Sequence, residues 1–299
     1  MRNQNLTTLA LGLGLLALTS PLRADDTTSG HSGLETMESS QVEQKLQINP
    51  GFTYISDADF SKSSLGKVNV WRFNVPARYT IKLGQGELGL GALYEYSEYD
   101  LDKLSGTQDF NTLGFDAFWK GMINDNWGYF VYGGVTLSAD TDVALSDGLT
   151  GLGGGGVRYV WSKDLSLGLG AVVSSRLEDD PAVLPVIALN WQINDRWNLR
   201  TLNGATLTYD ITADKKWQAD IGAKYQRREY RLEHDASVTD KSITAELGVT
   251  YRFCPHAAIR GFAGVAAGRN FEIRKSNDKV DDENVDAAPI FGVRALFSF

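Results

Sequence analysis

Groups that usually act as general bases, nucleophiles or metal ligands are few in this chain. The imidazoles are His31, His234 and His256, and the one thiol is Cys254. Hydrolysis needs a nucleophile or an activated water with a base beside it. The arrangement nearest to that is His234-Asp235, placed to meet Asp179-Asp180 across one mouth of the molecule. An adjacent His and Asp in a connecting segment is too common to specify a reaction, so no catalytic residue is expected. Cys254 lies in Phe253-Cys254-Pro255-His256. One thiol and one imidazole fall short of the ligand set a metal ion needs, and a single cysteine makes no disulfide within the chain. Gly153-Gly154-Gly155-Gly156 is not followed by Lys-Ser or Lys-Thr, so it is no phosphate cradle. It reads instead as room left in an interior or as a bent strand. No cofactor, metal or nucleic-acid partner is expected.

The remaining chemistry is charge at alternate positions. Arg72, Arg78, Lys120, Arg158, Arg176, Arg200, Lys224, Arg228, Arg252, Arg260 and Arg294 share the polar parity of their segments with Glu95, Asp116, Asp210, Asp220 and Glu246. This parity is net positive, although the chain has a formal net charge of -8. The excess acid falls in connecting segments, at Asp140, Asp142, Asp147, Glu178, Asp179, Asp180, Asp281, Asp282 and Glu283. If the polar parity lines a lumen, its field favours anionic solutes. The alternative is that these groups pair with one another and hold the lumen rigid, as Lys224 and Glu246 would on adjacent strands. The acidic segments could bridge to lipid phosphates through Ca²⁺ or Mg²⁺. Solvated loop charge is the expected reading.

The elements that must position these groups are strands. Successive side chains of a strand point to opposite faces. In the last stretch Phe291, Val293, Ala295, Phe297 and Phe299 fall on one face, with Gly292, Arg294, Leu296 and Ser298 on the other. The same period of two recurs from Lys45 onward. Outward faces read Leu46, Ile48, Phe52 and Tyr54 on the first strand, Trp71, Phe73, Val75, Ala77 and Tyr79 on the second, and Ile243, Ala245, Leu247, Val249, Tyr251 and Phe253 on the twelfth. Short connections such as Asn124-Asp125-Asn126, Ser162-Lys163-Asp164 and Asn194-Asp195-Arg196 alternate with longer, more acidic ones near 57–67, 100–108, 139–147, 177–180, 232–241 and 273–285. Trp119, Trp127, Trp161, Trp191, Trp197 and Trp217 all lie beside short connections, where indole rings would form a girdle at one membrane interface. The count is about fourteen strands. The pair between Trp197 and Ile211, turning near Asn203-Gly204, is short for a span of ~9–11 residues, and demoting it leaves twelve.

Residues 1–24 read as a signal peptide, with Arg2, an apolar run from Leu6 to Leu18, and Leu22-Arg23-Ala24 before a polar segment. Residues 25–44 read as a flexible periplasmic segment and residues 45–299 as one barrel. No apolar run after the leader approaches the ~20 residues of a spanning helix. The fold class expected is all-β, a transmembrane antiparallel up-and-down barrel with both termini periplasmic.

Through its leader, its alternating strands and the ending Val293-Arg294-Ala295-Leu296-Phe297-Ser298-Phe299, the chain resembles bacterial outer-membrane β-barrel proteins. The stretch Leu184-Pro185-Val186 through Trp191-Gln192-Ile193-Asn194-Asp195-Arg196-Trp197 to Tyr209 also looks like a family of uncharacterised outer-membrane barrels. The resemblance implies an outer-membrane location in a Gram-negative cell, contact with its lipid, and recognition of Phe299 by the outer-membrane assembly machinery. It implies no reaction and no oligomeric state. The function expected is a porin-like passive channel for small solutes, anions among them. The alternatives are a structural or adhesive barrel acting through its acidic loops and, further off, a membrane-embedded hydrolase.

Overall fold

The structure, a computed structural model, describes residues 44–102, 106–202 and 204–299. The expected leader, His31, all but the last residue of the lead-in, and Asn203 of the expected turn lie outside the described residues. The strand segments are β1 (Gln44–Ile48), β2 (Gly51–Asp59), β3 (Lys67–Leu83), β4 (Gly86–Leu101), β5 (Gly106–Met122), β6 (Trp127–Asp140), β7 (Leu149–Ser162), β8 (Leu165–Arg176), β9 (Asp179–Gln192), β10 (Trp197–Arg200), β11 (Ala205–Asp210), β12 (Trp217–Arg231), β13 (Ala236–Cys254), β14 (Ala257–Lys275), β15 (Asp278–Val285) and β16 (Ala288–Ser298). Two short 3₁₀ turns, Ser63–Leu65 and Leu145–Gly148, complete the described elements.

Neighbouring strands pair antiparallel from β2 through to β14, and β16 joins β14 back to β2. The sheet therefore closes on itself. β1 and β2 are two pieces of one stave, both lying between β3 and β16. β15 and β16 are likewise two pieces of one stave along β14. The wall thus has fourteen staves among the described residues, and the fallback of twelve does not apply. Proline accounts for the first break, because it has no N–H to give a ladder. Pro50 interrupts that stave, and Asn49 N donates to Pro76 O at 3.0 Å there. The second break falls at residues 286–287, where Asp286 N donates to Asp59 O at 3.0 Å.

Alternation along each stave sorts the side chains. Leu247 and Val183 keep 61% and 68% of their surface exposed on the outside, while Thr244 and Arg260 on the inside keep 0% and 2%. The turns after β3, β5, β7, β9, β11 and β13 are short, and both ends of the described chain lie at the same rim. Leu46 and Phe299 exchange backbone hydrogen bonds there, at 2.9 and 2.8 Å. Trp127, Trp161, Trp191, Trp197 and Trp217 are exposed on the outside at that rim, and Trp119 Nε1 donates to Tyr129 Oη at 3.0 Å.

The far end departs from expectation, because several of the segments expected as loops are largely strand. β2, β13, β14 and β15 run on as strand into segments 57–67, 232–241 and 273–285, leaving turns as tight as Ser276-Asn277. The acids placed there are mostly paired. Glu178 meets Arg231 at 2.7 Å, and Asp179 meets Arg176 at 2.8 Å and Arg274 at 3.3 Å. Extended backbone with a neighbour on each side satisfies its own hydrogen bonds, so these segments need no solvent to hold them.

The staves are also unequal. β10 and β11 have 4 and 6 residues, against 14 in β9 and 15 in β12. β10 pairs with β9 only at residues 190–192, and Thr201 N to Leu189 O, at 3.0 Å, is the topmost main-chain bond recorded between them. β11 reaches only to Ala223 on β12. Above that height, β9 and β12 face each other with no main-chain bond between them among the described residues. The upper half of β12 leaves the wall line and meets β6, six staves away round the ring, in a parallel contact at Arg231 and Ala139.

Candidate functional site

The interior is layered from the short-turn rim upward. Nearest that rim, Lys120 pairs with Glu87 at 2.8 Å, Lys215 with Asp210 at 3.4 Å, and Arg158 Nη2 lies 3.3 Å from Met122 Sδ. Arg78 reaches Asp116 at 3.2 Å and lies over the Phe118 ring. Arg260 donates from Nε to Asp220 Oδ2 at 3.0 Å and stands 3.4 Å from Glu246, which also takes Lys224 at 3.2 Å. Arg294 and Arg260 both lie against the Phe262 ring. Side chains in this layer still meet solvent: Lys120 keeps 36% of its surface and Lys224 keeps 26%.

Higher up, contacts cross the lumen. Arg72 on β3 binds Asp240 on β13 at 2.6 Å and donates to Tyr99 Oη at 2.7 Å, while Tyr99 donates to the same carboxylate at 2.9 Å. Arg228 on β12 binds Glu95 on β4 at 2.8 Å. These charges are buried yet paired and hydrogen-bonded, the condition under which burying a charge is tolerable. Above them an apolar cluster that includes Ile55, Phe60, Val68, Val70, Phe110, Tyr230, Val285 and Ile290 fills the far end. Phe110 and Tyr230 stack at 4.1 Å across the interior. The barrel closes its own far half with side chains, because β12 carries Tyr230 into the middle.

Between that inturned segment and the facing wall lies a polar cavity of about 50 Å³, room for a few water molecules. Its walls are Glu95, Thr112, Thr136, Ser138, Thr150, Gly151, Leu152, Ser174, Ser175 and the run from Arg227 to Tyr230. Arg227 and Glu229 share the outward parity of Trp217 and Ile221, but the inturn swings them inside, where they pair with each other.

Several predicted positions therefore share one interior: Arg72, Arg78, Glu95, Asp116, Lys120, Arg158, Lys224, Glu246, Arg260 and Arg294. Arg252 stands half-buried at the short-turn mouth, its N–H on Lys216 O at 2.8 Å. Arg176 is displaced. A register shift between Ser174 and Arg176 breaks the alternation, and Arg176 turns to Asp179 at the far rim instead of lining the lumen. His234 is exposed and lies 3.7 Å from Glu233, with Asp179 held by arginines, so the suspected His-Asp constellation is not assembled. His256 Nδ1 lies 2.9 Å from Ser298 O in a turn contact. Gly153-Gly154-Gly155-Gly156 falls in the middle of β7, where the wall bends so tightly that a Cβ on Gly154 would sit 2.2 Å from Ala171 O.

Sequence reasoning missed Tyr99, Arg227, Glu229, Tyr230 and Asp240. One signal was present: Arg227-Arg228-Glu229-Tyr230-Arg231 carries charge on both parities, which no stave facing hydrocarbon can do. Asp240 was hidden inside a segment taken for a loop.

No curated protein matches this chain. Among solved structures, an outer membrane channel from Pseudomonas putida F1 is similar at TM-score 0.47 and 11% identity, over 88% of this chain and 97% of that one. A deltaS2 mutant of the TodX monoaromatic hydrocarbon channel gives TM-score 0.47 and 9% identity, over 87% and 91%. The NanC porin gives 0.35 and 12%, over 83% and 98%. A family model described as a domain of unknown function (DUF6268) matches residues 112–281, and the chain belongs to that family.

Proposed function

We propose that this chain is an outer-membrane channel barrel with a vestibule for small solutes, entered from the short-turn end. The observation that carries this reading is the division of the wall into two surfaces: an apolar outside rimmed by tryptophan, and an inside of paired charges that still meets water. Only a closed barrel between oil and water needs both. The leader at residues 1–24 would direct export, and Phe299 at the end of the wall would address the assembly machinery. The inside also holds basic groups with no ion-pair partner among the described residues, Arg158 and Arg269 among them, so small anions are the favoured solutes. The packed far half narrows any through-path, which makes the expected conductance small. Among the described residues, the far-end turns at 177–178 and 276–277 are short and tied together through Glu178, and they offer little projecting surface to the adhesive alternative.

Purified protein in planar bilayers under a KCl gradient tests this. The expected result is a small conductance with an anion-biased reversal potential. The double change Lys120→Glu and Arg158→Glu should move that potential toward cations. Protein that inserts and passes no current overturns the reading.

A further inference from the structure

The upper wall between β9 and β12 has an edge that no strand covers. We propose that this gap is a lateral portal, and that the cavity behind it holds the uncharged polar head of an amphiphile whose apolar part lies outside against β9. The proposal rests on the membrane-barrel reading above.

Three observations converge on it. First, the gap lies within the lipid-facing band and not above it. β9 presents Val183, Pro185 and Ile187 outward there, and Tyr225 on β12 is level with exposed Ile243 on β13. Unpaired backbone at that depth is intolerable in hydrocarbon and acceptable only beside a polar or water-lined space. Second, the edge itself discourages strand addition. Leu189 turns its carbonyl to Thr201 N and its N–H to Thr201 Oγ1, at 3.0 Å each, so residues of its parity point their amides into the gap. The next such residues before the register shift are Ile187, Pro185 and Val183, and Pro185 has no N–H. Proline in the middle of an open edge hinders a pairing strand. The gap is thus built to remain open, not to receive a β-strand. Third, the cavity is matched to a neutral head. Its wall runs from Ser174 and Ser175 on β8 to Arg227 and Glu229 on β12, and at this height only β9 stands between those staves. Its two arginines and two glutamates balance, and its remaining polar lining is hydroxyl. Such a lining hydrogen-bonds a hydroxyl or amide and gives no net pull on an ion. The volume accommodates a head of that size.

A decanol bearing a diazirine tests the assignment, with the full-length protein in lipid nanodiscs and adducts mapped by mass spectrometry. Adducts should concentrate on residues 182–187 and 224–229, and excess decanol should compete them away at least tenfold better than decanoate or decane. Ala182→Trp, which fills the space beside Ser174, should cut them at least tenfold. The paired change Thr150→Val and Ser174→Val should abolish the preference for decanol over decane without filling the gap. Folded, heat-modifiable migration on gels reports that each variant is intact. Adducts spread evenly round the barrel, or equal competition by decane, would overturn the portal. Protein that does not float with lipid vesicles would overturn the membrane reading instead, so the two failures are separable.

Discussion

Arg72 is 4% exposed, and Asp240, its partner across the lumen, is also 4% exposed. Breaking such a pair leaves a buried charge without compensation, at a cost of about 3–5 kcal/mol. Arg72→Met should therefore lower the urea midpoint of the barrel refolded in vesicles by that amount of stability. The paired change Arg72→Met and Asp240→Leu should restore most of it, because both charges then leave together. A midpoint unmoved by the single change would show that the cross-lumen contact does not hold the far half shut. None of this pairing was legible in sequence. Arg72 was read on the inner parity, but its partner lay 168 positions away in a segment read as loop.

At the scale of elements, the far ends of three staves are tied by one carboxylate. Glu178, in the turn between β8 and β9, takes Arg231 at 2.7 Å at the end of β12 and the Asn277 amide at 3.1 Å between β14 and β15. The hydrogen bond from Arg231 holds the Glu178 carboxyl below the usual carboxylate range. A carboxyl whose folded value is depressed stabilises the fold above its unfolded value, and that contribution disappears as pH falls through the folded value. The tie should thus be intact at neutral pH and released in acid. Hydrogen exchange read by mass spectrometry gives the check. Glu178→Gln should speed exchange at Asn277 several-fold at neutral pH, and the gap between variant and wild type should close once the carboxyl is protonated. A gap that persists unchanged in acid would contradict the tie.

At the scale of the whole molecule, a membrane barrel must face oil on its outside. Leu247 stands in the middle of the exposed band of β13, with its neighbours Glu246 and Gly248 turned in. An arginine on the lipid face near the bilayer midplane costs ~2–4 kcal/mol. Leu247→Arg should destabilise the vesicle-refolded barrel by about that much, and Leu247→Phe should be close to neutral. If Leu247→Arg were silent, the exterior would be facing water and the assignment to a membrane would fail.

The sequence by itself determined the period of two, the sidedness of nearly every stave, the rim of tryptophans and the fourteen-stave wall. Each depends on a residue and its near neighbours, and the pleat fixes which face a side chain takes wherever the ladder is unbroken. Where a bulge intervened, as before Arg176, that rule failed. Tertiary structure alone decided which charges meet, that segments 232–241 and 273–285 are mostly strand and not loop, and that β12 turns inward to close the far half and open the side. Those outcomes depend on closure of the ring. β10 and β11 are too short to bridge the height of their neighbours, so above Ala223 β12 keeps β13 on one side and has no strand on the other, and its polar, aromatic end turns across the lumen to find partners.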